Sequence, residues 1–294
     1  MTRVVLVGNS SSGSSDDEVL SQVAERLSSL GPVDRVEPQG AGSFGDDIRQ
    51  ALGDDEGLIV SAGGDGTMNC TVNGFAGDFE GRTFALIPMG TGNDLARTLG
   101  LDSDPVAAAQ QVVDGTETFL DVGRASGASV DQLFVNACMG GFPVQVNQAI
   151  EGDVKARLGP LAFWVGGTKA AADLMRWTVH VDGEEHSDVV AAGVGNGMTA
   201  GGGITVWPDA DPTDGELDLC VLPAEGVADA LKLAATVKRG AHQSIDNVTM
   251  RRARRFEIEA EPAIEFNCDG ELIDLFSPVT FELVDRLRMR VPDF

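Results

Sequence analysis

"SAGGDGTMN", residues 61–69, follows the apolar run Gly57-Leu58-Ile59-Val60 and precedes Cys70-Thr71-Val72-Asn73-Gly74-Phe75. The run reads as a buried strand over 57–61, and the segment from about Gly66 to Phe75 reads as a helix. Between them the chain passes through Gly63-Gly64-Asp65-Gly66-Thr67. Glycines permit positive φ and a close backbone approach that a Cβ would forbid. The N–H groups at the start of the next helix point into the same space, so the turn forms an anion site. In an open α/β sheet, ligands collect beyond the carboxyl ends of the strands, where this turn lies.

The same design recurs nearby. Residues 83–88, TFALIP, read as a strand; Gly90-Thr91-Gly92-Asn93-Asp94 follows, then the helical LARTLG. Residues 3–8, RVVLVG, form another buried strand, followed by the loop Asn9-Ser10-Ser11-Ser12-Gly13. The helix behind that loop places Val19, Leu20, Val23, Leu27 and Leu30 on one face. Residues 44–52 form a short helix carrying Phe44, Ile48 and Leu52, and Asp104-Pro105 opens one more, with proline suited to the first turn. Strand and helix alternate, which predicts an α/β domain with an open, mostly parallel sheet.

From about Phe119 the pattern changes. Residues 119–125, 132–138, 177–182, 188–194, 216–222, 254–260, 263–268 and 278–284 read as strands, and Asp182-Gly183 is a hairpin signal. Helices are expected at 143–151, 161–175 and 226–238. This half is β-rich and mostly antiparallel. The predicted division is 1–122 for the α/β domain and 123–294 for the β-rich one.

Phosphate alone does not account for Asp65 and Asp94. A carboxylate facing a polyphosphate is repelled unless a cation or a hydroxyl lies between, and Mg²⁺ held by carboxylates and phosphate oxygens fits. Asp65, Asn93 and Asp94 could instead cap helices. Other nucleotide signatures fail. No Gly-Lys dipeptide occurs, which excludes a Walker A loop. Gly195-Asn196-Gly197-Met198-Thr199-Ala200 matches a loose dinucleotide pattern, but a β-like ITVW follows it, not a helix.

Acidic residues number 46 against 21 basic ones, for a net charge of −25. The acid is spread along the chain, which argues against nucleic acid as a partner and suggests adaptation to a salty cytoplasm, where the Debye length shrinks to a few Å. Cys70, Cys138, Cys220 and Cys268 show no C-x-x-C spacing and are expected as buried free thiols in a reducing compartment. The N-terminus is too short in apolar residues for a signal peptide, and no run reaches a membrane span. The expected location is cytoplasmic, compatible with a peripheral position at the inner membrane face. His180, His186 and His242 are scattered, so no zinc site is expected.

These residues together resemble the diacylglycerol kinase catalytic family, which includes bacterial lipid kinases and sphingosine kinases and is related to NAD kinases and phosphofructokinases. The likeness rests on NSSSG at 9–13, GGDGTMN at 63–69 and GTGNDLAR at 90–97. It continues through GNGMTAGGG at 195–203 and PDADPTDGELDL at 208–219, to CDGE at 268–271. It implies an N-terminal α/β domain, a C-terminal β-sandwich, and ATP with Mg²⁺ in the cleft. By this resemblance Asn9, Ser10, Ser11, Ser12, Gly13, Gly63, Gly64, Asp65, Gly66, Thr67, Met68, Asn69, Cys70, Gly90, Thr91 and Asn93 hold the nucleotide. Asp65 and Asp94 organise Mg·ATP. Asp211, Asp214 and Glu216 surround a second, structural metal. Glu271 is the proton acceptor, with Asp269 beside it. Two features depart from the pattern: VEPQGAG lacks the threonine expected after the second strand, and NSSSG lacks proline after its asparagine.

Phosphoryl transfer to a hydroxyl needs an in-line γ-phosphate, cations to absorb its charge and a carboxylate to accept the proton. The acceptor implied is a lipid alcohol at a membrane surface, such as a diacylglycerol or an isoprenoid glycerol ether; a homodimer is one allowed assembly. An NAD kinase would carry a Thr-Pro-Thr-Gly-Ser-Thr-like stretch, which is absent. A phosphofructokinase would need basic residues; Arg251, Arg252, Arg254 and Arg255 read more simply as the decoration of an exposed strand end. Leu161-Ala162-Phe163-Trp164-Val165 could line an acyl channel or pack in a core. A nucleotide-binding regulator without catalysis is the remaining alternative.

Overall fold

The computed structural model describes residues 2–8, 14–53, 56–141 and 175–292. The predicted loop Asn9–Gly13, the helix 143–151, nearly all of the helix 161–175 and the stretch Leu161–Val165 lie outside these residues. Two compact units result: residues 1–120 with 285–294, and residues 121–284.

The first unit is built from β1 (Arg3–Gly8), α1 (Ser14–Leu27), β2 (Val33–Val36), α2 (Phe44–Leu52), β3 (Gly57–Gly63), α3 (Asp65–Phe75), β4 (Arg82–Pro88), α4 (Asp94–Thr98) and α5 (Pro105–Asp114). β1 pairs in parallel with β2 and β3, and β3 in parallel with β4. β1 and β3 are apolar along their length because both faces of a parallel sheet are covered. Leu20, Val23 and Leu27 of α1 and Ile48 and Leu52 of α2 are buried. Asp104 caps α5, its carboxylate accepting the Ala107 N–H at 2.8 Å, with Pro105 in the first turn. β2, only four residues long and half-exposed, has too little apolar signal to be read from sequence.

The second unit contains most of β5 (Thr116–Ser126), then β6 (Asp131–Phe134), β7 (Ala137–Gly141), β8 (Trp177–Val181), β9 (Glu184–Gly195), β10 (Thr199–Ala200), β11 (Ile204–Thr205), β12 (Leu217–Pro223), α6 (Val227–Val237), β13 (Thr249–Ala253), β14 (Arg255–Glu261), β15 (Glu265–Cys268), β16 (Glu271–Phe276) and the start of β17 (Val279–Val291). Every pairing with a stated register within it is antiparallel. β7, β12 and residues 189–195 of β9 are buried on both faces. Cys138, Val194 and Leu219 join a core with Phe134, Phe256, Phe266 and Phe281. Ala137, Ala191 and Cys220 face a second core with Trp207, Leu233 and Val237. The result is an α/β unit with a mostly parallel sheet and an antiparallel β-sandwich.

Three expectations change. Residues 285–294, assigned by sequence to the second domain, belong to the first unit: Arg288 and Met289 of β17 pair in parallel with Thr83 and Phe84 of β4. The strand expected over 132–138 is broken at Val135-Asn136, whose N–H groups turn to a side chain. Finally, Cys138 and Cys268 form a disulfide, and Cys70 and Cys220 are not part of it. The antiparallel register of β7 and β15 sets the two cysteines directly opposite, with Cα atoms 4.3 Å apart. A separation of 130 residues hides such a pair from spacing arguments.

Candidate active site

The two glycine turns of the first unit touch. A Cβ on Gly90 would lie 2.4 Å from the Gly64 Cα, and one on Gly64 would lie 3.2 Å from the Gly90 Cα. A Cβ on Gly63 would meet Thr67 Oγ1 at 2.2 Å. None of these glycines has a positive φ. Close approach, not unusual dihedrals, is what demands glycine here. Asn93 shapes the second turn from a left-handed conformation, φ 54°. Its Oδ1 accepts the Gly90 N–H at 3.0 Å and its Nδ2 donates to the Gly90 carbonyl at 2.7 Å.

Asp65 joins the turns. Its Oδ2 accepts the Asp94 N–H and its Oδ1 the Leu95 N–H, each at 3.1 Å. It therefore caps the helix of the other turn. Asp94 is buried, with its Oδ1 3.2 Å from Arg97, which also donates to the Gly92 carbonyl. Thr91 is exposed and Gly66, Thr67 and Cys70 are half-buried. Met68 and Asn69 are buried, Met68 among core residues and Asn69 bonded to the Asn73 amide at 3.2 Å.

In the second unit the tripeptide Asp-Gly-Glu occurs three times, at 182–184, 214–216 and 269–271. Glu184 lies 3.5 Å from Arg251, and Glu216 3.6 Å from Arg252. Glu271 is exposed at the start of β16 and forms no ion pair among the described residues. Asp269 is 3 % exposed. Its Oδ1 accepts the Asn136 and Ala137 N–H groups at 2.9 and 3.0 Å, and its Oδ2 the Val135 N–H at 3.0 Å. Its own N–H donates to the Ala137 carbonyl at 2.8 Å.

The segment Gly195–Gly203 supports this connection. Asn196 and Gly197 donate backbone N–H groups to the Asn136 carbonyl, and Asn136 Nδ2 donates to the Thr199 carbonyl at 3.0 Å. Asn196 Nδ2 donates to the Val135 carbonyl at 2.8 Å. Gly201, Gly202 and Gly203 all have positive φ and close the β10–β11 hairpin, so no helix follows the loose dinucleotide pattern.

The three acids expected around a structural metal are turned to other partners. Asp211 Oδ1 accepts from the Thr213 N–H and hydroxyl. Asp214 Oδ1 accepts the Glu216 N–H, and its Oδ2 pairs with Arg252. Arg252 also lies 3.5 Å from Asp218 Oδ1. Among the described residues no group of three or more His, Cys, Asp or Glu side chains is gathered to hold a metal. The arginine run is fully engaged: Arg251 with Asp182 and Glu184, Arg252 with the acids above, Arg254 with the Gly215 carbonyl, Arg255 with Glu257.

Residues 3–125 match the diacylglycerol kinase catalytic domain model, and residues 136–288 match the YegS C-terminal NAD kinase beta sandwich-like domain model. The chain belongs to the diacylglycerol kinase family. It is 31 % identical to a diacylglycerol kinase of Bacillus subtilis over 73 % of this chain and 71 % of that one. It is 33 % identical to a "Probable lipid kinase YegS-like" of Pseudomonas fluorescens over 76 % and 74 %. A crystal structure described as that of a diacylglycerol kinase from Bacillus anthracis superposes with a TM-score of 0.78 at 26 % identity, covering 99 % of this chain and 97 % of that one. The protein is a phosphotransferase with an alcohol acceptor. No helix among the described residues is long and apolar enough to cross a membrane.

Four residues of this lipid kinase's second unit received no site role from sequence. Asn136, Asn196 and Asp218 are buried polar side chains, and Arg252 reads from sequence as surface decoration. The signal for the first three is an Asn or Asp inside an apolar strand end, in FVNAC, GVGNG and ELDLC. The two amide nitrogens find backbone carbonyls, while one oxygen of each of the three side chains stays buried without a hydrogen-bond partner.

Proposed function

We propose that this lipid kinase transfers the γ-phosphoryl group of ATP to the hydroxyl of a diacylglycerol-like or isoprenoid glycerol-ether lipid at a membrane surface. The contact between Gly64 and Gly90 carries the reading. A side chain at either position would push the two turns apart and so displace the backbone N–H groups that would meet phosphate oxygens. Gly63 to Cys70, Gly90, Thr91 and Asn93 bind the nucleotide, together with Asn9 to Gly13. Mg²⁺ bound with the nucleotide would supply positive charge to offset that developing on the transferred group. Asp65 and Asp94 are oxygen donors of the kind such a cation prefers, set together in the two glycine turns, where Asp65 accepts the Asp94 N–H. A structural ion held by Asp211, Asp214 and Glu216 would compete with Arg252, which pairs with Asp214 and lies 3.6 Å from Glu216.

Glu271 accepts the proton of the attacking hydroxyl. An exposed carboxylate without a cation partner keeps its lone pairs available for that proton. The acidic composition suits a cytoplasm rich in salt, with the protein working peripherally at the inner membrane face.

The test is ADP release from Mg·ATP by the full chain in concentrated KCl. The acceptors are diacylglycerol, a dialkyl glycerol ether, NAD and a sugar phosphate. Turnover with a lipid alcohol alone is expected. Phosphorylation of NAD or the sugar phosphate would replace the lipid reading with a small-molecule kinase. Nucleotide binding without turnover on any acceptor would replace it with a regulator.

A further inference from the structure

Asp269 and Glu271 flank one glycine, and either could accept a proton. Their surroundings separate them. Asp269 is buried and already accepts three backbone N–H groups, from Val135, Asn136 and Ala137. Glu271 is exposed. Asp269 (φ 47°) and Gly270 (φ 86°) form the two-residue turn between β15 and β16, both with the positive φ that such hairpins require.

The molecule contains its own control. Asp182 (φ 52°) and Gly183 (φ 84°) turn β8 into β9 in the same way. The Asp182 N–H donates to the Glu257 carbonyl at 3.0 Å, and its Oδ1 accepts the Glu257 N–H at 2.9 Å. Asp269 repeats this with Ala137, at 2.8 and 3.0 Å. In both places the turn aspartate clips its hairpin to a third segment through a reciprocal pair of bonds. The second place merely adds two further N–H groups, burial and the neighbouring Cys138–Cys268 disulfide.

We infer that Asp269 is a positioning residue: its carboxylate binds the 135–137 backbone and thereby fixes the hairpin that presents Glu271, without itself taking the substrate's proton. This rests on the kinase reading above. The Val135-Asn136 break in the strand is the counterpart of the clamp, because three consecutive N–H groups can converge on one carboxylate only where the ladder is interrupted.

The experiment compares Asp269→Asn, Glu271→Gln and Asp182→Asn in the full chain. Folding is checked by thermal melting, and amide hydrogen exchange is followed over 135–137 and 269–272. An asparagine keeps one acceptor oxygen but aims an NH₂ at the Val135 N–H. Asp269→Asn should therefore speed exchange in both segments and lower kcat by roughly 10- to 100-fold, with the KM for ATP unchanged. It should retain the acidic limb of the kcat/KM profile. Glu271→Gln should lose that limb, lower kcat further and leave exchange unchanged. Asp182→Asn should alter neither limb nor rate. A folded Asp269→Asn protein with wild-type exchange overturns the proposal, whatever its activity. So does loss of the acidic limb in Asp269→Asn together with its survival in Glu271→Gln, which would make Asp269 the acceptor. Absence of turnover in the unaltered chain removes the kinase reading instead, and exchange alone then decides whether the clamp exists.

Discussion

The hairpins at Asp182-Gly183 and Asp269-Gly270 have the same turn, the same following glutamate and the same aspartate clip, yet they serve different ends. Around the first, Arg251 reaches both Asp182, at 3.1 Å, and Glu184, at 3.5 Å. Around the second, Glu271 forms no ion pair among the described residues. An arginine beside a carboxylate occupies the lone pairs and the space that a substrate hydroxyl would need. On the proposed reading, the carboxylate that takes the proton is distinguished less by its tripeptide than by the absence of an arginine beside it.

The largest expected effect tests this difference directly. Glu271→Gln should lower kcat by about 10²- to 10⁴-fold, the usual contribution of a positioned base. Glu184→Gln, the matching change in the other hairpin, should leave turnover within about twofold, as surface changes do. Steady-state kinetics on the two folded variants suffice. Equal losses would break the comparison.

A smaller effect sharpens it. Asp65 and Asp182 both cap backbone N–H groups contributed by another segment, but only Asp65 lies in a glycine turn assigned to nucleotide. Removing either carboxylate should cost about 1 kcal/mol of stability, the usual loss for a cap. Asp65→Ala should also raise the KM for ATP by roughly tenfold or more, because α4 and the turn before it lose their anchor. Asp182→Ala should leave that KM alone. Denaturant melts and ATP titrations check both arms, and an unchanged ATP KM in Asp65→Ala would detach Asp65 from the nucleotide.

Much of this was legible in the sequence. β1, β3 and β4 announce themselves as apolar runs, the first two ended by glycine and the third by proline, because a strand covered on both faces admits little else. The Asp182-Gly183 and Asp104-Pro105 signals mark real turns and caps. Local chemistry fixes such features, so local residues reveal them. What stayed hidden depends on distant register. The Cys138–Cys268 pair, the return of residues 285–291 beside β4 and the convergence of three N–H groups on Asp269 each join segments more than a hundred residues apart. A window of sequence cannot show which of three identical tripeptides will meet an arginine. The glycine turns show a subtler gap: their composition was legible, but positive φ and close approach could be told apart only once Gly64 was found against Gly90.

The third copy, Asp214-Gly215-Glu216, yields the smallest effect. Next to it, Asp218 is 5 % exposed and its Oδ2 has no hydrogen-bond partner. Burial first, then the charges of Asp209, Glu216 and Asp211, push its carboxyl up from 3.8 to about 6, even though Arg252 lies 3.5 Å from the other oxygen. The raised value sets the sign. The folded state holds this proton more tightly than the unfolded chain, so the stabilisation is complete below about pH 4 and is lost as pH rises through about 6. At pH 7 the ionised group therefore destabilises the fold, by at most about 3 kcal/mol from a two-unit shift. Asp218→Asn should recover part of that at pH 7 and nothing at pH 4, as read by denaturant unfolding with chelator present. Concentrated KCl should trim the gain by screening the three neighbouring carboxylates, while the larger share, due to burial, persists. A gain abolished by salt would reverse that order and make the acidic cluster, not the buried oxygen, the source of the strain.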